Sequence, residues 1–281
     1  MLNKRKLLTL FSFLLLVNLG TAQTKVLYKQ VDTTKLFLEV YPAQTKVGSA
    51  PAPGIVFFFG GGWTGGTPSQ FKPHAEYFSA RGIHCFLADY RVASRNKTTP
   101  FEALKDAKSA MRFLKSHAQD FDLDSSRIVA AGGSAGGHLA AATALITDYN
   151  DKDDDLSISP IPAALMLFNP VIDNGPGGYG YNRIGAQYKS FSPLHNIRKG
   201  APPTIFFLGT KDRLIPVETA KYYEKVMEQV KSTCKLYIYE GQKHGFFNYR
   251  NLSYYKNTVL AADDFLQSLG FLKQHPKVSI N

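Results

Sequence analysis

Residues 128–142 read IVAAGGSAGGHLAAA, and the reading of this stretch decides how the rest of the chain is arranged. A short apolar run breaks into a glycine-rich turn with Ser134 at its centre, and an alanine-rich run follows. The pattern is strand, sharp turn, helix. Gly132, Gly133, Ser134, Ala135 and Gly136 fit G-x-S-x-G, in which the flanking glycines let backbone pack where a Cβ would clash. A serine on such a bend is held in a strained conformation with its hydroxyl beyond the C-terminal edge of the sheet. Any glycine-rich strand-to-helix turn would look similar, so the flanking sequence has to decide.

At the start of the chain, residues 1–22 carry Lys4, Arg5 and Lys6, the apolar run 7–17, and Gly20-Thr21-Ala22 with small residues before a cut after Ala22. This predicts a cleavable secretory signal peptide, and hence a secreted or periplasmic protein. The apolar run is short for a membrane span, and no later stretch approaches about 18 uninterrupted apolar residues, so no stable membrane anchor is expected. With no cysteine near the cut, lipid attachment there is not expected either. Residues 23–281 suit one large α/β domain. Losing three cations and no acid lowers the formal net charge from +11 to +8, and the lysines that remain are scattered. No nucleic-acid motif is present, and the oligomeric state is left open. Cys85 and Cys234 each fall in a predicted strand, where a buried small hydrophobe needs no partner, although a disulfide is possible.

Further along, 25–29 and 35–41 read as strands around a turn at Asp32-Thr33-Thr34, the second alternating as KLFLEVY. Residues 54–59 are continuously apolar, as a parallel strand buried on both faces should be. Helices are then predicted at 71–81, 101–117, 135–147, 217–232 and 254–269, and strands at 84–89, 127–131, 163–168, 204–208 and 235–239. The alternation predicts an α/β fold, a mostly parallel eight-stranded sheet with helices on both faces.

Gly60, Gly62 and Gly65 satisfy G-x-G-x-x-G directly after a strand, and Asp89 ends the next one, as a dinucleotide-binding fold would require. Against that, Gly66-Thr67-Pro68 delays the helix that should hold the pyrophosphate, and a secreted protein meets little nicotinamide cofactor. The other use of consecutive glycines here is an oxyanion hole of unhindered backbone N–H groups. Two later loops complete the chemistry. Asp212 lies in GTKDRLIP after one strand, and His244 in GQKHGFF after the last. Ser134, Asp212 and His244 thus follow three strands in the order of a nucleophile, an orienting acid and a base.

FGGGWTGG, GGSAGG, GTKDRLIPV and GQKHGFFN together resemble the corresponding segments of the α/β-hydrolase esterases, the acetyl xylan/feruloyl esterase-like and hormone-sensitive-lipase-like carboxylesterase groups being most similar. The resemblance implies an α/β-hydrolase fold without a large cap domain, a serine esterase needing no cofactor, and oxyanion N–H groups from Gly61, Gly62 and Ala135. It also matches Asp89-Tyr90-Arg91 to a structural D-Y-R segment. The family's His before the three glycines is Phe59 here, so the hydrogen bonds that His makes must be absent or replaced.

Other candidates read differently. His138, one helical turn past Ser134, stays on its helix and is expected to pack. His195 precedes Asp212, and His275 lies beyond the last helix. Asp173 is the rival acid, because it also follows a strand. Asp151, Asp153 and Asp155 imitate a calcium loop, but Leu156 stands where glycine is needed, and no zinc motif is present, so no metal is expected. The insertion 174–195 is rich in Gly, Tyr and Asn, which suits a flexible polar rim better than an apolar lid. Trp63, Tyr179 and Tyr181 are candidates to stack on sugar rings. An open site and export favour short acyl esters, above all acetyl groups on polysaccharide or oligosaccharide. The alternatives are a general short-chain carboxylesterase or lipase-like enzyme, and a catalytically silent glycan-binding protein on the same fold.

Overall fold

The computed structural model describes residues 24–45, 50–274 and 279–280. The leader read over 1–22, and His275, lie outside the described residues. The strands are β1 (Thr24–Val31), β2 (Thr34–Tyr41), β3 (Ala52–Phe58), β4 (His84–Ala88), β5 (Leu123–Gly133), β6 (Ala164–Phe168), β7 (Thr204–Gly209) and β8 (Cys234–Tyr239). They form one eight-stranded sheet in the order β1-β2-β4-β3-β5-β6-β7-β8. β1, β2 and β4 pair antiparallel, and every pairing from β4 through β8 is parallel.

Burial follows the sequence pattern. β2 buries Leu36, Leu38 and Val40 and turns the residues between them outward, as KLFLEVY requires of a strand near a sheet edge. The hairpin closes on two residues rather than three, with Asp32 in the left-handed region at φ 50°, a conformation Asp tolerates. β4, β6 and β7 are buried at every position, and beyond the opening His84 of β4 and Thr204 of β7 none of their residues has a polar side chain.

The helices are α1 (Lys72–Ala80), α2 (Ala93–Asn96), α3 (Pro100–Ser116), α4 (Ala135–Leu145), α5 (Tyr181–Ile184), α6 (Tyr188–Phe191), α7 (Val217–Gln229) and α8 (Leu252–Ser268). α3, α4 and α7 pack Leu104, Met111, Leu139 and Met227 against one face of the sheet, onto Val56, Phe58 and Leu165. α1 and α8 cover the other with Phe78, Val259 and Phe265 on Ile55, Phe57 and Met166. Burying each such side chain contributes roughly 1.5–3 kcal/mol. α3 begins where TPFE stands in the sequence, since Thr99 and Glu102 form a capping box around Pro100.

Most element ends shift by one to three residues, and three departures from the sequence reading are larger. β5 runs from Leu123, because pairing with β3 starts there although Ser125 and Ser126 are exposed. The helix expected at 71–81 is a 3-10 turn, Pro68–Phe71, followed by α1. Segment 174–195 is not a flexible polar rim: α5, α6 and two 3-10 turns fold it down, burying Asn174, Ile184, Phe191 and Ser192. No large cap stands over the sheet among the described residues. The two cysteines cannot pair, because β4 and β8 are five strand positions apart, on the order of 24 Å.

Candidate active site

Ser134 occupies the bend between β5 and α4 with φ 55° and ψ −120°, a conformation that costs a non-glycine residue about 1–3 kcal/mol. The neighbours make it possible. A Cβ on Gly136 would lie 2.0 Å from the Phe58 carbonyl oxygen, and one on Gly132 would lie 2.3 Å from that of Gly136. The bend is fastened to the sheet as well, its N–H donating to the Phe168 carbonyl at 3.0 Å and its own carbonyl accepting from Val171 at 3.1 Å.

Asp212 follows β7, and its side chain is fully buried. One carboxylate oxygen accepts from the N–H groups of Leu214 (2.8 Å) and Ile215 (3.1 Å), leaving the other to face His244 Nδ1 at 2.7 Å. His244 follows β8, and its Nε2 lies 2.9 Å from Ser134 Oγ. An ionised carboxylate only accepts, so Nδ1 carries the ring proton and Nε2 is left to accept from the serine hydroxyl.

The glycine loop opposite is built from outside itself. Phe59 stacks on Tyr90, with centroids 4.0 Å apart and planes 13° apart, and the Tyr90 hydroxyl donates to the Phe59 carbonyl at 2.6 Å. Gly61 (φ 126°) and Gly62 (φ 63°) then turn the chain, and the Gly61 carbonyl accepts from Thr64 and Gly65. Among the described residues the N–H groups of Gly61, Gly62 and Ala135 have no acceptor. A cleft of about 290 Å³ opens over Ser134 and His244, walled by Gly61, Gly62, Tyr179, Leu214, Phe247 and Arg250. A second cavity, of about 320 Å³ beside Ala52, His84 and Arg127, lies at the opposite end of the strands.

Several sequence candidates end elsewhere. Trp63 is 1 % exposed, wedged against His138, Phe191 and Tyr179, so it cannot stack on a sugar. Tyr181 is exposed but packs on Tyr188 away from the cleft; of the three aromatic residues only Tyr179 reaches it. Asp173 stands 3.9 Å from His195 and does not approach His244. His138 is buried, bonded to the Phe191 carbonyl, and burial pushes its pKa down to about 4. Asp89 is held by Arg95 through both carboxylate oxygens, and the glycine loop runs into a 3-10 turn, which removes the layout a dinucleotide would need. Asp151 pairs with Lys29, and among the described residues no cluster of His, Cys, Asp or Glu side chains is placed to hold a metal.

Sequence reasoning missed three polar residues of the site. Asn169, which follows β6 at φ 36°, accepts from the Gly245 N–H at 2.9 Å. Gln70 accepts from the Gly60 N–H at 2.6 Å, and Asn248 donates to the Gly245 carbonyl at 2.8 Å. Only Asn248 had a signal, as the last residue of GQKHGFFN.

A mostly parallel sheet with a strained serine on the β5–α4 bend and an Asp–His pair after its last two strands defines the α/β-hydrolase class. Comparison with known proteins narrows it. The BD-FAE family model matches residues 38–174, and that of the dienelactone hydrolase family matches 177–275. The apo structure of esterase 2 from Thermogutta terrifontis superposes with a TM-score of 0.85 at 41% identity, covering 90% of this chain and 97% of that one. The same esterase has also been solved with propionate and with butyrate bound. Esterase LipC of Mycobacterium tuberculosis is 26% identical over 70% of this chain and 53% of its own length. An acetylxylan esterase of Xylanibacter ruminicola is 26% identical over 72% of this chain and 41% of its own. The chain spans about half the length of the curated relatives it matches. It belongs to the α/β-hydrolase esterases.

Proposed function

We propose that the protein is a serine carboxylic-ester hydrolase for short acyl esters, with acetyl groups on polysaccharide or oligosaccharide as its substrate class. The observation that carries the esterase reading is the continuous hydrogen-bonded line from Ser134 Oγ through His244 to the buried Asp212, at 2.9 and 2.7 Å. In this reading His244 Nε2 takes the hydroxyl proton as Ser134 attacks the ester carbonyl, and Asp212 holds the ring and balances its positive charge. The N–H groups of Gly61, Gly62 and Ala135 receive the oxyanion. His244 returns the proton to the departing alcohol, leaving an acyl-serine. Water, deprotonated by His244, then releases the carboxylic acid and restores the serine.

For the acyl part, the support is the small open cleft and the propionate- and butyrate-bound forms of the Thermogutta esterase. For a glycan, it is the likeness to an acetylxylan esterase and the leader that predicts export past Ala22. The buried Trp63 and the outlying Tyr181 favour a second reading, a general short-chain carboxylesterase with no sugar platform beyond Tyr179. One experiment separates them. Turnover of p-nitrophenyl esters from two to twelve carbons is expected to peak at four or fewer and to vanish in Ser134→Ala, and acetate should be released from acetylated xylan. An optimum at eight carbons or longer would overturn the short-acyl reading, and good ester turnover without acetate from any acetylated glycan would leave the carboxylesterase. A protein that neither turns over nor reacts with a serine-directed phosphonate would be the silent glycan binder.

A further inference from the structure

The oxyanion loop and the histidine loop lie far apart in sequence, yet a chain of side-chain amides joins them. Gly60, the residue before the two open donors, gives its N–H to Gln70 Oε1 at 2.6 Å. Gln70 Nε2 donates to Asn248 Oδ1 at 2.9 Å, across 178 residues of sequence. Asn248 Nδ2 then donates to the Gly245 carbonyl at 2.8 Å, next to His244. The ends of this chain fix its direction, because a backbone N–H can only donate and a backbone carbonyl can only accept; both amides therefore have a single workable orientation. Asn169 holds the preceding peptide, the one that joins His244 to Gly245, by accepting from the Gly245 N–H at 2.9 Å. Beneath the amides runs an apolar counterpart: Phe71, beside Gln70 and fully buried, stacks on Phe247 at 5.7 Å, and Phe247 adjoins Asn248.

We propose that Gln70 and Asn248 are positioning residues. Their amide bridge fixes the distance between the oxyanion donors of Gly61 and Gly62 and the base His244, so that both meet one tetrahedral centre on Ser134. In this chain the bridge orders a glycine loop that begins with Phe59 and therefore has no polar side chain of its own before Gly60. Neither amide is assigned contact with the reacting atoms; each acts through the backbone it holds. The role rests on the reading of Ser134 as a nucleophile, and it predicts a specific kinetic pattern. Loosening the bridge moves donors and base relative to each other, which weakens the transition state more than ground-state binding.

The test is steady-state kinetics on p-nitrophenyl acetate for Gln70→Met, Asn248→Ala and the double variant, with active sites counted by fluorophosphonate titration so that misfolded protein does not enter. Each single substitution should lower kcat roughly tenfold while KM stays within about twofold, and the double should lose no more than the worse single, because the two act as a unit. Gln70→Glu keeps an acceptor for the Gly60 N–H and should recover part of the loss, which also serves should Gln70→Met fail to fold. Wild-type kcat in the single variants, losses that multiply in the double, or a rise in KM at unchanged kcat would each overturn the proposal. Wild-type protein that neither turns over nor labels would instead overturn the esterase reading, and this role with it.

Discussion

Ser134 stands between two loops that are held in opposite ways. The Asp212 side holds itself: the carboxylate binds the N–H groups two and three residues further on, and the Lys211 N–H joins the neighbouring histidine loop at the Gln242 carbonyl, 2.9 Å away. The glycine side is held by others. Tyr90 grips the Phe59 carbonyl, Gln70 the Gly60 N–H and Arg183 the Gly62 carbonyl, while the Tyr179 hydroxyl lies where a Cβ on Gly62 would sit. A self-bonded turn needs few residues and survives changes elsewhere. A loop of glycines has no side chains with which to hold itself, so its geometry depends on residues up to 121 positions away.

The largest expected effect falls on the self-held side, which carries the proposed acid. Asp212→Asn should lower kcat/KM by about 10⁴, because the imidazole loses the acceptor that fixes its tautomer. Asp173→Asn should stay within about twofold of wild type, since its partner is a solvent-facing His195. Matched kinetics on p-nitrophenyl acetate check both, and a reversed ranking would move the acid to Asp173.

On the glycine side, Gly61→Ala should cost about 10²-fold in kcat, comparable to losing one oxyanion donor. Its φ of 126° is foreign to alanine, and the new Cβ would lie 2.2 Å from the Gly65 carbonyl oxygen. The comparison predicts a milder result for Tyr90→Phe, which keeps the stack on Phe59 but leaves a buried carbonyl without its donor. A loss of about 1–3 kcal/mol in stability by denaturant titration and a few-fold drop in kcat are expected. An unchanged kcat would show that the Tyr90 hydroxyl is not needed to order the loop.

This contrast also explains what could be read from the sequence. The bend at Ser134 and the loop positions of Asp212 and His244 were legible because local constraints write them: glycines where backbone meets backbone, and polar turns after apolar strands. The alternating β2 and the continuously apolar β3 declared their burial directly. The burial of Trp63 was not legible, since a tryptophan in a glycine loop looks exposed until Phe191 and Tyr179 are folded over it from 174–196. That segment looked like a polar rim because few of its residues are apolar, yet Ile184 and Phe191 suffice to pin it. Gln70 and Asn248 gave no joint signal, because their bond spans 178 residues.

The smallest effect on activity is expected beneath the two loops, where the apolar link between them contains one polar intruder. His74 on α1 lies against Phe71 (5.0 Å), Phe168 (5.4 Å) and Tyr255 (4.8 Å), and neither ring nitrogen has a partner among the described residues. Burial pushes its pKa from 6.5 down to about 3. The folded protein therefore keeps His74 neutral in a range where the unfolded chain takes up a proton. Stability is complete above pH 6.5 and declines as pH falls from there toward about 3, each unit being worth about 1.4 kcal/mol. His74→Phe removes that term along with two unpaired buried nitrogens, in a layer that already stacks aromatic rings. At pH 7 the variant should be more stable by about 1 kcal/mol or more, and by pH 5 its advantage should grow by a further 2 kcal/mol or so. His138, pushed down to about 4, remains in the variant, so the acid slope should fall rather than disappear. Urea unfolding of both proteins at pH 7, 6 and 5 measures this directly, with kcat expected to stay within about twofold because the Phe71–Phe247 stack is retained. A variant less stable than wild type at pH 7 would mean that the cluster tolerates the imidazole for its shape, and a large fall in kcat would mean that this layer, and not only the amide bridge above it, sets the spacing of the two loops.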